Sequence, residues 1–387
     1  MPNETIQSEV VPSALASWFG DPGRLSVQRA IGELRAGRPV TLSNGGQALL
    51  VAAAEMLGGQ RIAQWYAQWH AAAGGGPGLI LPAPRLRHLG AGADGPAHLS
   101  LAGLSADGID ALLRAPGPPV PPFARRPADA LEAVALDLVK RAYLLPAAVV
   151  MPAQDDPAGA TMTVDAAAVA DFHDQSARDL AIAARTRVPL VDAQDAEFVV
   201  FRGGDGLRDQ VAIVIGHPDP RQPTLARLHS ACLTGDLFAS LKCDCGDQLR
   251  LAVSEISVAG GGVLVYLDQE GRGIGLLNKM RAYGLQALGH DTVDADAVLG
   301  YGPDERRYAI AGAMLALLGF RRVVLMTNNP DKIVALEEFG VNVVGHRRLI
   351  GGVNRHNRGY LATKAHRAGH MLDGVDRQLP ALNPARP

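Results

Sequence analysis

Apolar positions in the second half of the chain fall into two rhythms, and the change from one to the other marks the elements. Residues 262–267 (GVLVYL) form a short apolar run that predicts a buried strand, and Leu276 to Leu288 carries apolar residues at helical spacing. Arg306 to Leu318 predicts another helix. Val323 to Met326 predicts a strand running into Thr327, Asn328, Asn329 and Pro330, after which Asp331 to Phe339 has helix character and Gly340 ends it. Asn329 suits the N-cap and Pro330 the first helical position. With Val341 to Val344 as the next strand, this is a βαβ-like unit in a three-layer α/β domain.

Residues 20–170 read differently: they are rich in Ala, Gly and Pro, with loops expected at Gly74 to Gly76 and Pro116 to Pro122 and no charged cluster in sight. A polar stretch with Pro and Gly, Asp155 to Thr161, precedes a segment from Val164 to Arg185 that predicts one helix. The domain boundary is therefore expected between about 165 and 185, dividing the chain into 1–175 and 176–387. There is no internal repeat. A length of 387 residues agrees with two domains, and 48% hydrophobic against 20% charged residues is a globular balance.

Charge narrows the partners. A formal net charge of -2 gives no overall field for nucleic acid or an anionic membrane, so an anionic ligand must be held by a local basic cluster. Lysine occurs only at Lys140, Lys242, Lys279, Lys332 and Lys364, mostly late in the chain. Met1 to Val10 has no basic residue, unlike a secretory signal, and the longest apolar stretch, Ala309 to Phe320, is short of the ~20 residues that cross a bilayer. A cytoplasmic protein without a membrane span is expected.

Four segments carry candidate chemistry. Cys232, Cys243 and Cys245 are the only cysteines and lie close together, which in a cytosolic chain points to metal or redox chemistry. Three thiolates supply three of zinc's four tetrahedral positions, and a fourth left to water marks a catalytic site. Three buried thiols, or a structural zinc completed by His229 or another histidine, fit the spacing equally. The segment 268–275 (DQEGRGIG) lies between a predicted strand and helix, where backbone amides can approach an anion, although a plain tight turn reads the same way. Asp304 to Arg307 is expected to open a helix, a place where acidic residues are common for dipole reasons alone. Thr327 to Lys332 sets a hydroxyl, amides and a lysine at a strand's C-terminal end, where α/β sheets bind ligands.

In order and separation these segments resemble the GTP cyclohydrolase II family. The resemblance rests on 227–236 (RLHSACLTGD), 243–246 (CDCG), 269–272 (QEGR), 278–283 (NKMRAY), 304–306 (DER), 325–330 (LMTNNP), 360–365 (YLATKA) and 369–372 (GHML), and covers roughly Arg187 to Leu372. It implies zinc on Cys232, Cys243 and Cys245, and GTP held by Arg227, Leu228, His229, Ser230, Ala231, Gln248, Glu270, Gly271, Arg272, Thr292, Thr327 and Lys332. Asp304 then corresponds to the proton acceptor, Arg306 to the assigned nucleophile and Tyr283 to a catalytic tyrosine. The implied reaction opens the guanine ring of GTP, releasing formate and pyrophosphate, with Mg²⁺ on the triphosphate and a homodimer as the working form.

The residue types suit that chemistry, with one difficulty. A guanidinium with pKa above ~12 is a poor nucleophile, so Arg306 is open to covalent attack on the α-phosphate or to charge stabilisation. The chain also departs from the family at Ala231, where an acidic residue is usual before the first zinc cysteine. The first half has a fainter resemblance to dihydroxybutanone phosphate synthase, carried by 30–40 (AIGELRAGRPV), 53–55 (AAE), 135–140 (ALDLVK) and 144–150 (LLPAAVV). That family's acidic metal loop is replaced by 42–47 (LSNGGQ) and its Gly-His-Thr region by 126–129 (RPAD), so a degenerate, non-catalytic domain is expected. The resulting expectation is an α/β fold: a three-layer cyclohydrolase domain with a mixed sheet, preceded by an α+β domain. Two rivals fit the same residues, a cyclohydrolase-like enzyme of pyrimidine catabolism and a nucleotide-sensing regulator without turnover.

Overall fold

The computed structural model describes residues 20–73, 76–117, 122–153, 161–203, 209–367 and 371. Gly369, His370 and Leu372, and most of the expected loop segments at 74–76, 116–122 and 155–161, lie outside them.

The first half is built on seven strands, β1 (Val40–Ser43), β2 (Ala48–Ala53), β3 (Gly78–Leu81), β4 (Ala97–Ser100), β5 (Arg125–Pro127), β6 (Ala148–Pro152) and β7 (Thr163–Asp165). Their order is β5-β4-β3-β6-β2-β1-β7, antiparallel apart from the β1–β7 pair. Helices cover both faces, so the central strands are apolar at consecutive positions. Ile80, Ala148 and Val150 pack with helices Pro22–Arg35, Ala130–Arg141 and Ala166–Arg178, while Leu79, Ala147 and Val149 pack with helices Ala54–Ala73, Ala83–His88 and Ala106–Arg114.

The second half has the mixed sheet and three layers that were expected. Its strands are β8 (Ala181–Arg187), β9 (Glu197–Arg202), β10 (Gln210–Gly216), β11 (Thr224–Ser230), β12 (Gly261–Leu267), β13 (Arg322–Met326) and β14 (Asn342–Arg347), in the order β14-β13-β11-β12-β10-β9-β8. The four strands from β14 to β12 run parallel and the other three antiparallel. Helix Cys245–Val258 buries Ala252 and Ile256 on one face against Leu264 and Met326. Helices Ala309–Leu317 and Asp331–Glu338 bury Met314, Leu315 and Leu336 on the other, against Val263, Val265 and Leu325.

Four expectations change. The single helix over Val164 to Arg185 is strand β7, helix Ala166–Arg178 and strand β8, because pairing with β1 and β9 overrides the local helical pattern at its two ends. Helix Ala309–Leu317 begins later than Arg306, so Asp304 is not a first-turn acid; side-chain hydrogen bonds from the amides of Gly302 and Arg306 hold 302–306 as a loop. Asn329 sits one residue before the cap position at Pro330, and its Oδ1 accepts from Asp331 N at 3.0 Å. The first half does contain a charged cluster, because folding brings His98, Arg126 and Glu132 together. Burial would raise the Glu132 carboxyl, but bonds from Arg126, Asp129 N and His98 hold it at about 2. Among the described residues no helix is long and apolar enough to cross a membrane.

Candidate active site

Parallel β11, β12 and β13 end on one rim of the sheet, and the segments leaving their carboxyl ends carry the thiols, the 268–275 turn and Thr327 to Lys332. That rim is where parallel sheets present ligand sites. Gly235 makes room for the thiols: a Cβ there would stand 2.9 Å from Cys243 Sγ and 3.0 Å from Cys232 Sγ. The three Sγ atoms lie within 4.8 Å of one another, with Cys232 and Cys243 3.6 Å apart. Tetrahedral zinc with Zn–S bonds of ~2.3 Å needs edges of about 3.8 Å, so the donor set fits a metal ion. Among the described residues no fourth His, Asp or Glu joins this group.

The surroundings favour thiolate at Cys232. Lys279 Nζ lies 3.1 Å from Cys232 Sγ and also binds Glu270 Oε1 at 2.7 Å and Thr234 Oγ1 at 3.0 Å. Hydrogen bonds from Cys243 and Cys245, then the Lys279 ammonium, hold the Cys232 thiol well below its ordinary range. Three thiolates on a divalent ion would leave one negative charge, which the Lys279 ammonium would offset. Asp236 orients the same strand end, accepting from Cys232 N at 3.0 Å and Tyr266 Oη at 2.9 Å and lying 3.1 Å from His229 Nε2.

Beside the thiols, with Cys245 in its wall, is a cavity of about 300 Å³. Arg227, His229, Ser230, Gln248, Arg272, Asp304, Arg306, Thr327 and Lys332 all line it. Arg227 is fixed by Met326 O at 2.9 Å and Gln248 Oε1 at 2.7 Å, and burial lowers its guanidinium to about 10. Arg227 Nε, His229 Nδ1 and Ser230 Oγ are buried without a hydrogen-bond partner. Three such atoms on one strand end, at the wall of a polar cavity, indicate groups arranged for a ligand.

Asp304 and Arg306 face each other in a forked ion pair, with Arg306 Nε 2.9 Å from Asp304 Oδ1 and Nη2 on Oδ2. Burial would raise the Asp304 carboxyl, but the bonds and charge of Arg306 keep it below its usual range. Burial would lower the Arg306 guanidinium, yet Tyr308 and Asp304 hold it above its ordinary value.

The GTP cyclohydrolase II family model matches residues 181–348. GTP cyclohydrolase-2 of Xylella fastidiosa strain Temecula1 is 44% identical over 359 residues, covering 92% of this chain and 89% of its own. The chain belongs to the GTP cyclohydrolase II family. Its class is therefore that of a hydrolase. The GTP cyclohydrolase-2 of Azospirillum brasilense is 49% identical over 249 residues, 62% of this chain and 65% of that one. That of Pseudomonas paraeruginosa is 55% identical over 168 residues, 43% and 82% respectively.

The remaining positions that the family resemblance singled out lie off the cavity wall. The Leu228 side chain is core, while its carbonyl accepts from Lys332 Nζ at 2.7 Å. Glu270 is buried against Lys279 and accepts from Leu233 N at 2.6 Å, beside the thiols. Gly271 takes φ 63°, and a Cβ there would press on Lys279 at 3.0 Å. Thr292 offers its carbonyl to Arg272 Nη2 at 3.3 Å, and Ala231 faces a neighbouring depression. Tyr283 stands at the thiols, its ring 5.6 Å from Lys279 Nζ, and burial pushes its hydroxyl upward. Sequence reasoning passed over Lys279 and Asp236, although both lie inside the quoted motifs. It also missed Asp296, bound to Arg272 and pushed up to about 7 by burial, and Arg367 on the cavity wall, whereas Asn328 and Asn329, the amides noted ahead of Lys332, and Tyr360, inside a quoted motif, do line the cavity.

Proposed function

We propose that the chain opens the guanine ring of GTP hydrolytically, releasing formate and pyrophosphate and giving 2,5-diamino-6-ribosylamino-pyrimidinone 5'-phosphate, the first step of riboflavin biosynthesis. The observation that carries this reading is a cluster of three thiols opening onto a polar cavity with orphaned buried donors and the Asp304 carboxylate. Cys232, Cys243 and Cys245 hold zinc, which when bound supplies Lewis-acid activation of water at the base. Asp304, ionised under Arg306, accepts a proton as the ring opens. Arg272, Lys332 and Arg306 supply positive charge for a triphosphate carrying Mg²⁺. Arg306 acts by charge, because its ion pair with Asp304 keeps the guanidinium protonated and so a poor nucleophile. Arg227, His229, Ser230, Gln248 and Thr327 line the remaining wall for the nucleotide, and Tyr283 works from the metal side.

The working form is a homodimer. Support comes from the exposed apolar side chains around the thiol loop: Leu237 and Phe238 are 72% and 74% exposed, and Leu241 and Leu277 are exposed with them. The protein acts in the cytoplasm, on a nucleotide rather than a nucleic acid or membrane. Residues 1–175 form a degenerate synthase-like unit ahead of the cyclohydrolase unit at 176–387. Incubation of the zinc-loaded protein with GTP and Mg²⁺, followed by product identification, tests the reading: formate and the diaminopyrimidinone are expected, and GTP left intact would refute it.

A further inference from the structure

The loop that carries Asp304 and Arg306 is held from behind by the non-catalytic half. Between those two residues Glu305 points the other way, and its carboxylate receives Lys140 Nζ at 2.8 and 2.7 Å and Gly302 N at 2.8 Å. Lys140 stands in the last turn of helix Ala130–Arg141, in the first half of the chain. Glu305 N donates to Arg272 O at 3.0 Å, and a Cβ on Gly273 would stand 2.8 Å from the Glu305 carbonyl group. The backbone bond and the close Gly273 contact tie the segment carrying Arg272 to the loop at 303–306, and the Lys140–Glu305 ion pair anchors that loop on the first half.

This contact is set in a hydrogen-bonded seam. Just past Lys140, Tyr143 takes φ 58°, and its carbonyl accepts from Asn278 Nδ2 at 2.9 Å. Tyr301 Oη donates to Leu144 O at 2.7 Å and accepts from the same Asn278 amide at 2.9 Å. Arg85, buried in the first half, donates to Val298 O at 2.8 Å. Val298 and Tyr301 both lie just ahead of the catalytic loop, so that loop is anchored before its start and at Glu305 by groups of the other half.

We propose that the N-terminal half acts as a positioning unit for the cyclohydrolase, with Lys140 as the residue that transmits it: through Glu305, Lys140 sets the orientation of Asp304 and Arg306. The proposal rests on the catalytic reading of Asp304 and Arg306. Lys140 touches no substrate, so its loss acts through geometry, and displacement of a catalytic group by ~1 Å is enough to slow turnover about 100-fold.

The test uses the full zinc-loaded chain and measures formate release from GTP. Lys140→Met is expected to lower kcat about 10- to 100-fold, with unchanged zinc content and little change in KM. Lys140→Arg is expected to keep most of the rate. Charge reversal by Lys140→Glu should be as damaging as Lys140→Met. Glu305→Gln, which keeps the shape, supplies the same comparison should Lys140→Met fold poorly. A kcat in Lys140→Met and Glu305→Gln matching the unmodified chain would overturn the proposal. Asp304→Asn run in parallel separates the two readings: full formate release from that variant would overturn the assignment of Asp304 itself.

Discussion

Gly235→Ala tests the thiol cluster by a purely steric route. Gly235 is not among the positive-φ glycines, so alanine brings no backbone strain. Its Cβ would stand 2.9 Å from Cys243 Sγ, 3.0 Å from Cys232 Sγ and 3.1 Å from Cys245 Cβ. Comfortable separations start near ~3.5 Å, so at least two sulfurs must retreat by about half an ångström. Zinc sites tolerate about 0.2 Å in ligand distance, which makes the required movement larger than the metal accepts. Overpacking of this kind costs about 1 to 3 kcal/mol, equivalent to a loss of about 5- to 140-fold in zinc affinity. In metal-free protein the thiols can rotate away, so the loss should fall mainly on the zinc-bound form. The assay is a competitive zinc titration against a chromophoric chelator, with Tm recorded with and without metal. Gly284→Ala is the control, since no heavy atom outside its own helix lies within 4 Å of a Cβ there. Zinc affinity unchanged by Gly235→Ala would refute the claim that these three sulfurs close around one ion.

Asp304→Asn should retain zinc and nucleotide binding while losing on the order of 10² to 10⁴ in turnover, measured as formate release. His173, at the seam between the halves, is held down to about 3 by burial and by the charges of Arg141 and Arg307. Its folded pKa lies below the unfolded ~6.5, so acidification protonates the unfolded chain first. The His173 contribution therefore erodes stability progressively from pH 6.5 down to about 3, by at most ~1.4 kcal/mol per pH unit. Urea midpoints against pH should be flatter for His173→Gln, and identical pH slopes in the two proteins would contradict the assignment.

Much of the second half was legible because its signals are local. The apolar run 262–267 lies within strand β12, and the helical spacing from Leu276 matches helix Gly275–Ala287. The cysteine spacing brought three sulfurs together because helix Cys245–Val258 starts at the last of them and the short turn at Gly235 carries the chain past the others. Signals that depend on distant partners were not legible. The Val164 to Arg185 segment has helical composition throughout, yet its last part pairs with β9 as an exposed edge strand. Lys140 and Glu305 are 165 positions apart, and nothing local to either marks them as partners. Lys279 had a readable signal: it is one of five lysines, placed next to Asn278 in a quoted motif, and its neighbours in space are Glu270 and a thiol. The charged cluster of the first half was hidden for the same reason as the seam, since His98 and Glu132 meet only when β4 packs beside helix Ala130–Arg141.

Metal-dependent formate release from GTP tests the central claim most directly. The protein is stripped of metal with a chelator, then titrated with zinc in the presence of GTP and Mg²⁺, and formate and pyrophosphate are quantified together. The account predicts no ring opening without zinc, full recovery at one zinc per chain, one formate for each GTP consumed, and no recovery in Cys243→Ser. Ring opening at full rate by the metal-free protein, or zinc-loaded protein that binds GTP and releases no formate, would contradict it.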